Sequence, residues 1–186
     1  SIAKVAKARG ADVVLITGPT AIEPPTGVKV VRVNTTREMF NAVEEQFSSC
    51  DVLIKAAAPL DYRPDKVSDE KIKKGLKETD ELNIKFVRNP DIAAHVGKIK
   101  ENRIIVGFAD ETNNITQYAK EKLNNKNFDF IVANDVSKEG AGFKSDTNIV
   151  SIIDREGSIE NYPILNKIQV AEMLLDKVTN LLNIKS

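Results

Sequence analysis

The sequence predicts an α/β fold in which helices cover both faces of a Rossmann-like, mostly parallel sheet. Three observations support this class. Short apolar runs rich in Val and Ile recur along the chain, amphipathic helical patterns separate them, and most of the runs are continuous, as in strands buried on both faces. The 186 residues suit a single domain, 1–186, which buries roughly 70% of the surface of its unfolded chain. No internal repeat or low-complexity linker calls for a second domain.

The first predicted element is a helix over residues 2–8, with an apolar side and with Gly10 as its C-terminal stop. A doubly wound nucleotide fold usually begins one element earlier, with a strand and a Gly-rich turn whose amides receive phosphate. Neither precedes this helix. We therefore expect that the chain begins inside the domain and lacks the N-terminal strand and the Gly-rich loop.

The following elements alternate between strands and helices. Buried strands are predicted at 12–17, 51–57, 103–109 and 128–134, and a weaker strand nearer a sheet edge at 28–33. Helices are predicted at 36–47 with Thr35 or Thr36 as N-cap, at 90–100 with Pro90 in the first turn, and at 114–126. After residue 147, "NIVSIID", an Arg-Glu-Gly turn and "SIENYPI" predict an antiparallel hairpin, and an amphipathic pattern predicts a final helix over 167–182.

Composition excludes several classes of protein. Lys and Arg number 27, as do Asp and Glu, so the chain lacks the basic field of a protein that wraps duplex nucleic acid. A single cysteine, Cys50, cannot form an internal disulfide and suits a reducing compartment. No apolar run approaches the length of a membrane span and no signal pattern opens the chain, so we expect a cytoplasmic protein.

Candidate binding residues follow the predicted strands, where open α/β sheets bind ligands. In "AAAPLDYRP" the small Ala56, Ala57 and Ala58 leave room for a ligand to approach the backbone, and Asp61 can accept hydrogen bonds from an amino group or a ribose. Tight strand packing with Asp61 as a loop cap explains the same residues equally well.

A basic run comes next, with lysines at 66, 71, 73, 74 and 77. Helical spacing spreads Lys71, Lys73, Lys74 and Lys77 around a helix, so only one or two could face one ligand. Lys71 is the candidate to meet a phosphate as a point charge. A solvated lysine face is the alternative.

Asn89, Pro90 and Asp91 stand at a predicted helix start, where free amides can bind an anion or a base edge. The same three residues also form an ordinary capping sequence. His95, the only histidine, is interpreted as a boundary residue and not as a catalyst.

Phe108 offers a flat apolar surface for a base, and Lys122 and Lys126 share a helix face from which they could reach phosphates. Ordinary surface lysines would show the same spacing. The polar loop 133–148 suits a mobile cover or a disordered connector.

Five segments in this order resemble phosphopantothenoylcysteine synthetase, the phosphopantothenate–cysteine ligase of bacterial coenzyme A biosynthesis. They are "AAAPLDYRP", "KIKK", "RNPDI", "VGFADET" with its Lys-containing helix, and "ANDV…GFKSDTN". The resemblance covers nearly the whole chain. It is greatest to the type fused behind a flavin-dependent phosphopantothenoylcysteine decarboxylase.

The resemblance implies a two-step ligation. The carboxylate of 4'-phosphopantothenate attacks the α-phosphate of CTP to give an acyl-cytidylate, and the amino group of cysteine then displaces CMP. Lys71 would be catalytic and stabilise charge in the first step. The implied nucleotide-binding residues are Ala56, Ala57, Ala58, Asp61, Lys71, Asn89, Pro90, Asp91, Ile92, Phe108, Lys122 and Lys126.

The resemblance also implies cofactors and partners. Mg²⁺ would be held mainly by phosphates, its protein ligands being unknown, and FMN would be present only if a decarboxylase domain precedes the chain. The family's Gly-rich segment, with an Asn used in the second step, has no counterpart here, so the chain is expected to bind CTP and could fail in that step. A homodimer is implied, and "ELNIKFVR", with Leu82, Ile84 and Phe86 alternating, is the candidate interface. An edge strand of the same subunit is its alternative.

Three other functions remain open from the sequence. They are a nicotinamide or flavin oxidoreductase, a non-enzymatic nucleotide-binding domain, and a ligase of the same family that uses ATP. The first would need a Gly-rich dinucleotide loop and an acidic ribose ligand, which the sequence does not display. Residue types alone do not distinguish CTP from ATP.

Overall fold

The computed structural model describes residues 1–71, 82–111, 115–135 and 147–185. The helices are α1 (Ile2–Ala8), α2 (Thr36–Phe47), α3 (Ile92–Lys98), α4 (Ile115–Lys126) and α5 (Lys167–Lys185). The strands are β1 (Val14–Thr17), β2 (Lys29–Arg32), β3 (Val52–Lys55), β4 (Tyr62–Pro64), β5 (Phe86–Arg88), β6 (Ile104–Glu111), β7 (Phe130–Asp135), β8 (Thr147–Asp154) and β9 (Ile159–Asn166). Within these ranges, no helix combines the length and the apolar character needed to cross a membrane.

The main sheet has five strands in the order β3, β6, β7, β8, β9. β3, β6 and β7 run parallel, with Lys55 beside Gly107 and Gly107 beside Ile131. β8 is antiparallel to β7 and forms an antiparallel hairpin with β9. The predicted α/β class, with its parallel strands, C-terminal hairpin and final helix, is therefore confirmed.

Helices cover both faces of this sheet and enclose two apolar cores. On one face, α2, α3 and α4 pack against side chains that include Ile105 and Ile131. On the other face, α1 and α5 pack against side chains that include Ile104 and Phe130. Because successive side chains of a strand point to opposite faces, neighbouring residues of β6 and β7 enter different cores.

Side-chain caps fix the starts of two helices. Thr35 is the N-cap of α2, and its hydroxyl accepts a hydrogen bond of 3.1 Å from the Glu38 N–H. Asp91 is the N-cap of α3, and its carboxylate accepts one of 3.0 Å from the Ala94 N–H. The prediction that Pro90 lies in the first turn of this helix is wrong. Asp91 is the N-cap, so Pro90 precedes the helix.

Two small sheets lie beside the main one. Within the described residues, the weaker predicted strand, β2, pairs in parallel with β1 and with no other strand. β4 and β5 form an antiparallel pair in which Tyr62 lies opposite Arg88 and Pro64 opposite Phe86. The end of "ELNIKFVR" is thus paired within its own chain, which agrees with the alternative prediction of an edge strand of the same subunit. Whether its exposed side also meets a second subunit stays a prediction.

Candidate functional site

Several of the predicted site residues follow the carboxyl end of β3. β3 ends at Lys55, and the exposed Ala56, Ala57 and Ala58 follow it, so a ligand can reach their backbone. Asp61 is also exposed, and it stands in the turn that leads into β4. This is the edge at which parallel sheets bind ligands.

Asn89 braces the turn at Asp61 against the start of α3. Its backbone N–H donates to the Asp61 carbonyl at 2.7 Å, and its side-chain amide donates to the Leu60 carbonyl at 2.8 Å. The Arg63 guanidinium donates to the Asn89 side-chain oxygen at 3.2 Å. The Asn89 N–H is therefore used by the protein, and this residue shapes the site by holding two segments together.

Asp91 links α3 to α4. Besides capping α3, its carboxylate forms a hydrogen-bonded ion pair with the Lys126 ammonium. Burial raises the pKa of Asp91, but the hydrogen bonds from Lys126 and from the Ala94 N–H outweigh burial and hold this pKa below its ordinary value. Asp91 is thus a carboxylate that fixes one of the predicted phosphate-binding lysines.

Ile92 and Pro90 lie on either side of Asp91. The Ile92 side chain is 5% exposed and belongs to the core beneath α3. Pro90 is half-buried between Asn89 and Asp91. A contact of either residue with a base or ribose stays a prediction.

Lys55 is a candidate site residue that sequence reasoning missed. Burial is the largest influence on its pKa and lowers it; Asp91 and Asp61 raise this pKa, Lys126 and Lys122 lower it further, and the pKa lies below its ordinary value overall. The signal available in the sequence was a lone lysine closing an otherwise apolar strand run. In the structure, the charges of Asp61, Asp91, Lys122 and Lys126 all act on its ammonium.

Phe108 lies on the other face of the sheet. Its side chain is half-buried and packs at the edge of the core under α1 and α5. Lys55 alternates with Ile54, which belongs to that same core, so the Lys55 side chain leaves β3 on the face of α3 and α4. The proposed contact of Phe108 with a base stays a prediction, and it requires a ligand that crosses the strand ends.

Lys71 is exposed, two residues beyond Asp69 in the segment that follows β4. Its approach to a phosphate stays a prediction. Lys73, Lys74 and Lys77 lie in 72–81, outside the described residues. Most of the predicted loop 133–148 also lies outside the described residues.

His95 occupies a boundary position between α2 and α3. Its ring lies 4.7 Å from the Phe40 ring, centroid to centroid, and its Nε2 lies 3.0 Å from a Glu44 carboxylate oxygen. These contacts agree with the interpretation of His95 as a packing residue.

An open polar pocket of about 540 Å³ lies at the opposite, amino edge of the sheet. The Lys100 ammonium is buried there, 2.6 Å from an Asp129 carboxylate oxygen, and Lys185 of α5 lies 3.3 Å from the other oxygen of Asp129. Arg155 donates to the Asn127 side chain beside them. Because these groups satisfy one another, the pocket joins the end of α5 to the starts of β6 and β7.

The chain is similar to a described family and to proteins of known structure. Residues 1–182 match the family model of the DNA/pantothenate metabolism flavoprotein C-terminal domain. The coenzyme A biosynthesis bifunctional protein CoaBC of Escherichia coli is 43% identical over 179 residues, which are 96% of this chain and 44% of that protein. The chain thus spans about half the length of the curated relatives it matches.

Two solved structures place the fold among known ones. The crystal structure of the C-terminal domain of a CoaBC protein aligns with a TM-score of 0.81 and 36% identity, over 98% of this chain and 80% of that one. A Cab2 mutant in complex with phosphopantothenate-cysteine aligns with a TM-score of 0.60 and 15% identity, over 82% of this chain and 52% of that one. The second likeness concerns the fold alone.

Proposed function

This chain belongs to the family of the DNA/pantothenate metabolism flavoprotein C-terminal domain, and on that premise we propose that it is a ligase of coenzyme A biosynthesis. It joins 4'-phosphopantothenate and L-cysteine with CTP, through an acyl-cytidylate, to give 4'-phosphopantothenoylcysteine. The relatives named as coenzyme A biosynthesis proteins support the pathway.

One observation carries the proposal beyond the family. Lys55 closes β3, and its ammonium interacts electrostatically with Lys122 and Lys126 of α4 and with Asp91 and Asp61. Grouped ammonium groups repel one another, and a bound polyanion relieves that repulsion. A nucleoside triphosphate fits this edge because it brings several negative charges and a ribose whose hydroxyls Asp61 can accept from.

In the proposed first step, a carboxylate oxygen of 4'-phosphopantothenate attacks the α-phosphorus of CTP. The bond from this phosphorus to the bridging oxygen breaks, and pyrophosphate leaves. A carboxylate attacking a polyanion meets repulsion, so fixed cations near the α-phosphate and the leaving group lower the barrier. Lys71 is proposed for the α-phosphate, and Lys122 and Lys126 for the rest of the triphosphate.

In the proposed second step, the amino nitrogen of cysteine attacks the acyl carbon of the intermediate. The carbon–oxygen bond to the phosphate breaks, CMP leaves, and the nitrogen loses a proton as the amide forms. Ala56, Ala57 and Ala58 and the Asn89–Ile92 backbone frame the nucleotide during both steps, and Phe108 packs near the cytosine.

Magnesium would take most of its ligands from the triphosphate. Among the residues that the structure describes, no three His, Cys, Asp or Glu side chains come together to hold a metal ion. Mg²⁺ commonly binds through substrate phosphates and waters with one or two carboxylates, and no residue of this chain is assigned to it. FMN is proposed only for a decarboxylase domain preceding this chain, so no residue here is assigned to it.

A homodimer built on β4 and β5 completes the proposal. Alternate residues of a strand point to the same face, so Tyr62 of β4 and Phe86 of β5 share one face of this pair. That face is exposed, because Tyr62 is 53% exposed and Phe86 56%. Ile84 and Leu82 continue the same alternation and are also exposed. Such a row of apolar side chains is unusual on a monomer and typical of an interface.

Pyrophosphate release tests the proposed function. The protein is incubated with Mg²⁺ and CTP, with and without 4'-phosphopantothenate and without cysteine. We expect pyrophosphate only when 4'-phosphopantothenate is present, and CMP release once cysteine is added. Pyrophosphate formed equally with ATP would change the nucleotide assigned to the site. CTP binding without any pyrophosphate would instead favour a non-enzymatic nucleotide-binding domain.

A further inference from the structure

Lys55 occupies a position from which its side chain can reach a ligand. It is the last residue of β3 and pairs with Gly107 of β6. A Cβ at Gly107 would meet the Phe128 ring at 2.4 Å, so Phe128 fills the space over this glycine. The Lys55 side chain instead stands where β3 leads into the exposed Ala56 to Ala58 segment.

Within the described part of the chain, the Lys55 ammonium donates a single hydrogen bond, to the Ala57 carbonyl at 2.9 Å. An ammonium group carries three donors. That bond turns the side chain toward the exposed Ala56 to Ala58 segment, which is the predicted nucleotide contact. The remaining donors can therefore point to a ligand placed along the same segment.

Charged groups from three elements act on the Lys55 ammonium. Lys122 and Lys126 come from α4, Asp91 from the start of α3, and Asp61 from the turn before β4. Asp91 is itself engaged by Lys126. Lys55 is half-buried, and charge interactions are stronger in such a place than in water.

We propose that Lys55 is a further phosphate-binding residue, which holds the triphosphate of the nucleotide together with Lys122 and Lys126. This inference rests on the proposed function, in that CTP is the expected ligand. The phosphates would accept hydrogen bonds from the Lys55 ammonium and replace the water that burial removes from it. Lys55 would then bind the triphosphate, and other residues would bind the base and the ribose.

Calorimetric titration with CTP, CMP and inorganic triphosphate, all with Mg²⁺, tests this role in the wild type and in Lys55→Met. A charge-assisted contact to phosphate is worth enough that we expect CTP and inorganic triphosphate to bind about 10- to 100-fold more weakly to the variant. CMP should lose less than about 3-fold, because it lacks the phosphates that Lys55 is assigned to hold. Lys29→Met, on the exposed first residue of β2, is the matched control and should match the wild type. Lys55→Gln replaces Lys55→Met should the latter fail to fold.

The outcomes separate this inference from the proposed function. Equal binding of CTP and inorganic triphosphate by wild type and variant overturns the role of Lys55, as does an equal loss of CTP and CMP. If the wild type binds inorganic triphosphate but not CTP, and Lys55→Met weakens the former, the Lys55 site stands and the proposed CTP ligase falls.

Discussion

Asp91 combines two tasks that the sequence presented as alternatives. "RNPDI" could be an ordinary capping sequence or a binding element, and the structure assigns the cap to the same carboxylate that holds Lys126. The cap is a local interaction that residue type and position indicate well. The ion pair joins residues 35 positions apart, and only the packing of α3 against α4 brings them together.

Replacing Asp91 separates its two tasks. Asp91→Ala loses both and should lower the free energy of unfolding by about 1 to 2 kcal/mol, since the loss of an N-cap alone costs roughly 1 kcal/mol. Asp91→Asn keeps a capping side chain and loses the charge, so its loss should be smaller. Urea denaturation at neutral pH measures both.

The pH dependence of Asp91 has a defined sign. Its pKa is held below the ordinary 3.8, so the carboxylate stabilises the folded state above that pH. This contribution is lost as the pH falls through the lower pKa of the folded state. The difference in unfolding free energy between wild type and Asp91→Asn should therefore be constant near neutrality and shrink in strong acid. A difference that grows on acidification would contradict the assignment.

Lys71→Gln should slow the proposed first step. Loss of one preorganised charge partner costs on the order of 3 kcal/mol of transition-state stabilisation, which is about 100-fold in rate. Pyrophosphate release from CTP and 4'-phosphopantothenate measures the effect. Lys66→Gln, an exposed lysine in the same basic run, is the control and should retain the wild-type rate. A wild-type rate in Lys71→Gln would remove Lys71 from the chemistry.

At the scale of elements, the contact between α3 and α4 sets the position of Lys126. Gly97 of α3 lies against the end of α4, where the Asn127 side chain donates to the Gly97 carbonyl at 2.7 Å. A Cβ at Gly97 would come within 2.2 Å of the Lys126 carbonyl oxygen. α3 and α4 can approach this closely because Gly97 has no side chain.

Gly97→Ala should therefore destabilise the protein, although alanine favours helices. Overpacking against backbone costs typically about 1 to 3 kcal/mol, because α4 must move as a unit. Thermal unfolding measures the loss. Gly18→Ala is the control, because the nearest atom to its added Cβ would lie 3.9 Å away. Stability unchanged in Gly97→Ala would mean that α3 and α4 separate at no cost.

The sequence indicated the elements better than their pairing. Apolar periodicity placed every strand of the main sheet within a few residues, because burial between two helical layers dictates such runs. It missed β4, which consists of three residues beginning at Tyr62, since so short a strand is defined by its partner β5 and not by its own pattern. It also missed that, in the part of the chain that the structure describes, β1 and β2 form a separate two-stranded sheet.

The candidate site was predictable where strand ends coincide with polar residues. Asp61 and Asp91 followed from that rule. Lys55 did not, because a lysine inside an apolar run carries no sign of the side-chain neighbours that the fold will supply. The pairing of Lys126 with the Asp91 carboxylate was equally hidden, since helical spacing gives a shared face and not the element opposite it.

At the scale of the whole molecule, the exposed face of β4 and β5 predicts an oligomer. Sedimentation equilibrium should give a dimer for the wild type. Phe86→Asp should give a monomer that unfolds at nearly the same temperature, because this side chain is 56% exposed within one chain. Ile22→Asp, at a loop residue that is 78% exposed, is the control and should remain dimeric. A wild-type monomer at micromolar concentration would refute the interface.

Lys55 and Phe108 emerge from neighbouring strands on opposite sides of the sheet. A molecule touching both must sit astride the strand ends, with its charged part on one flank and its flat part on the other. If its two halves were added as separate compounds, they would not compete for one site. Both should bind the protein at the same time, each with low affinity. Joining them gains the strength that comes from tethering two weak binders, so much of the attraction for the whole nucleotide would reside in the linkage and not in either half.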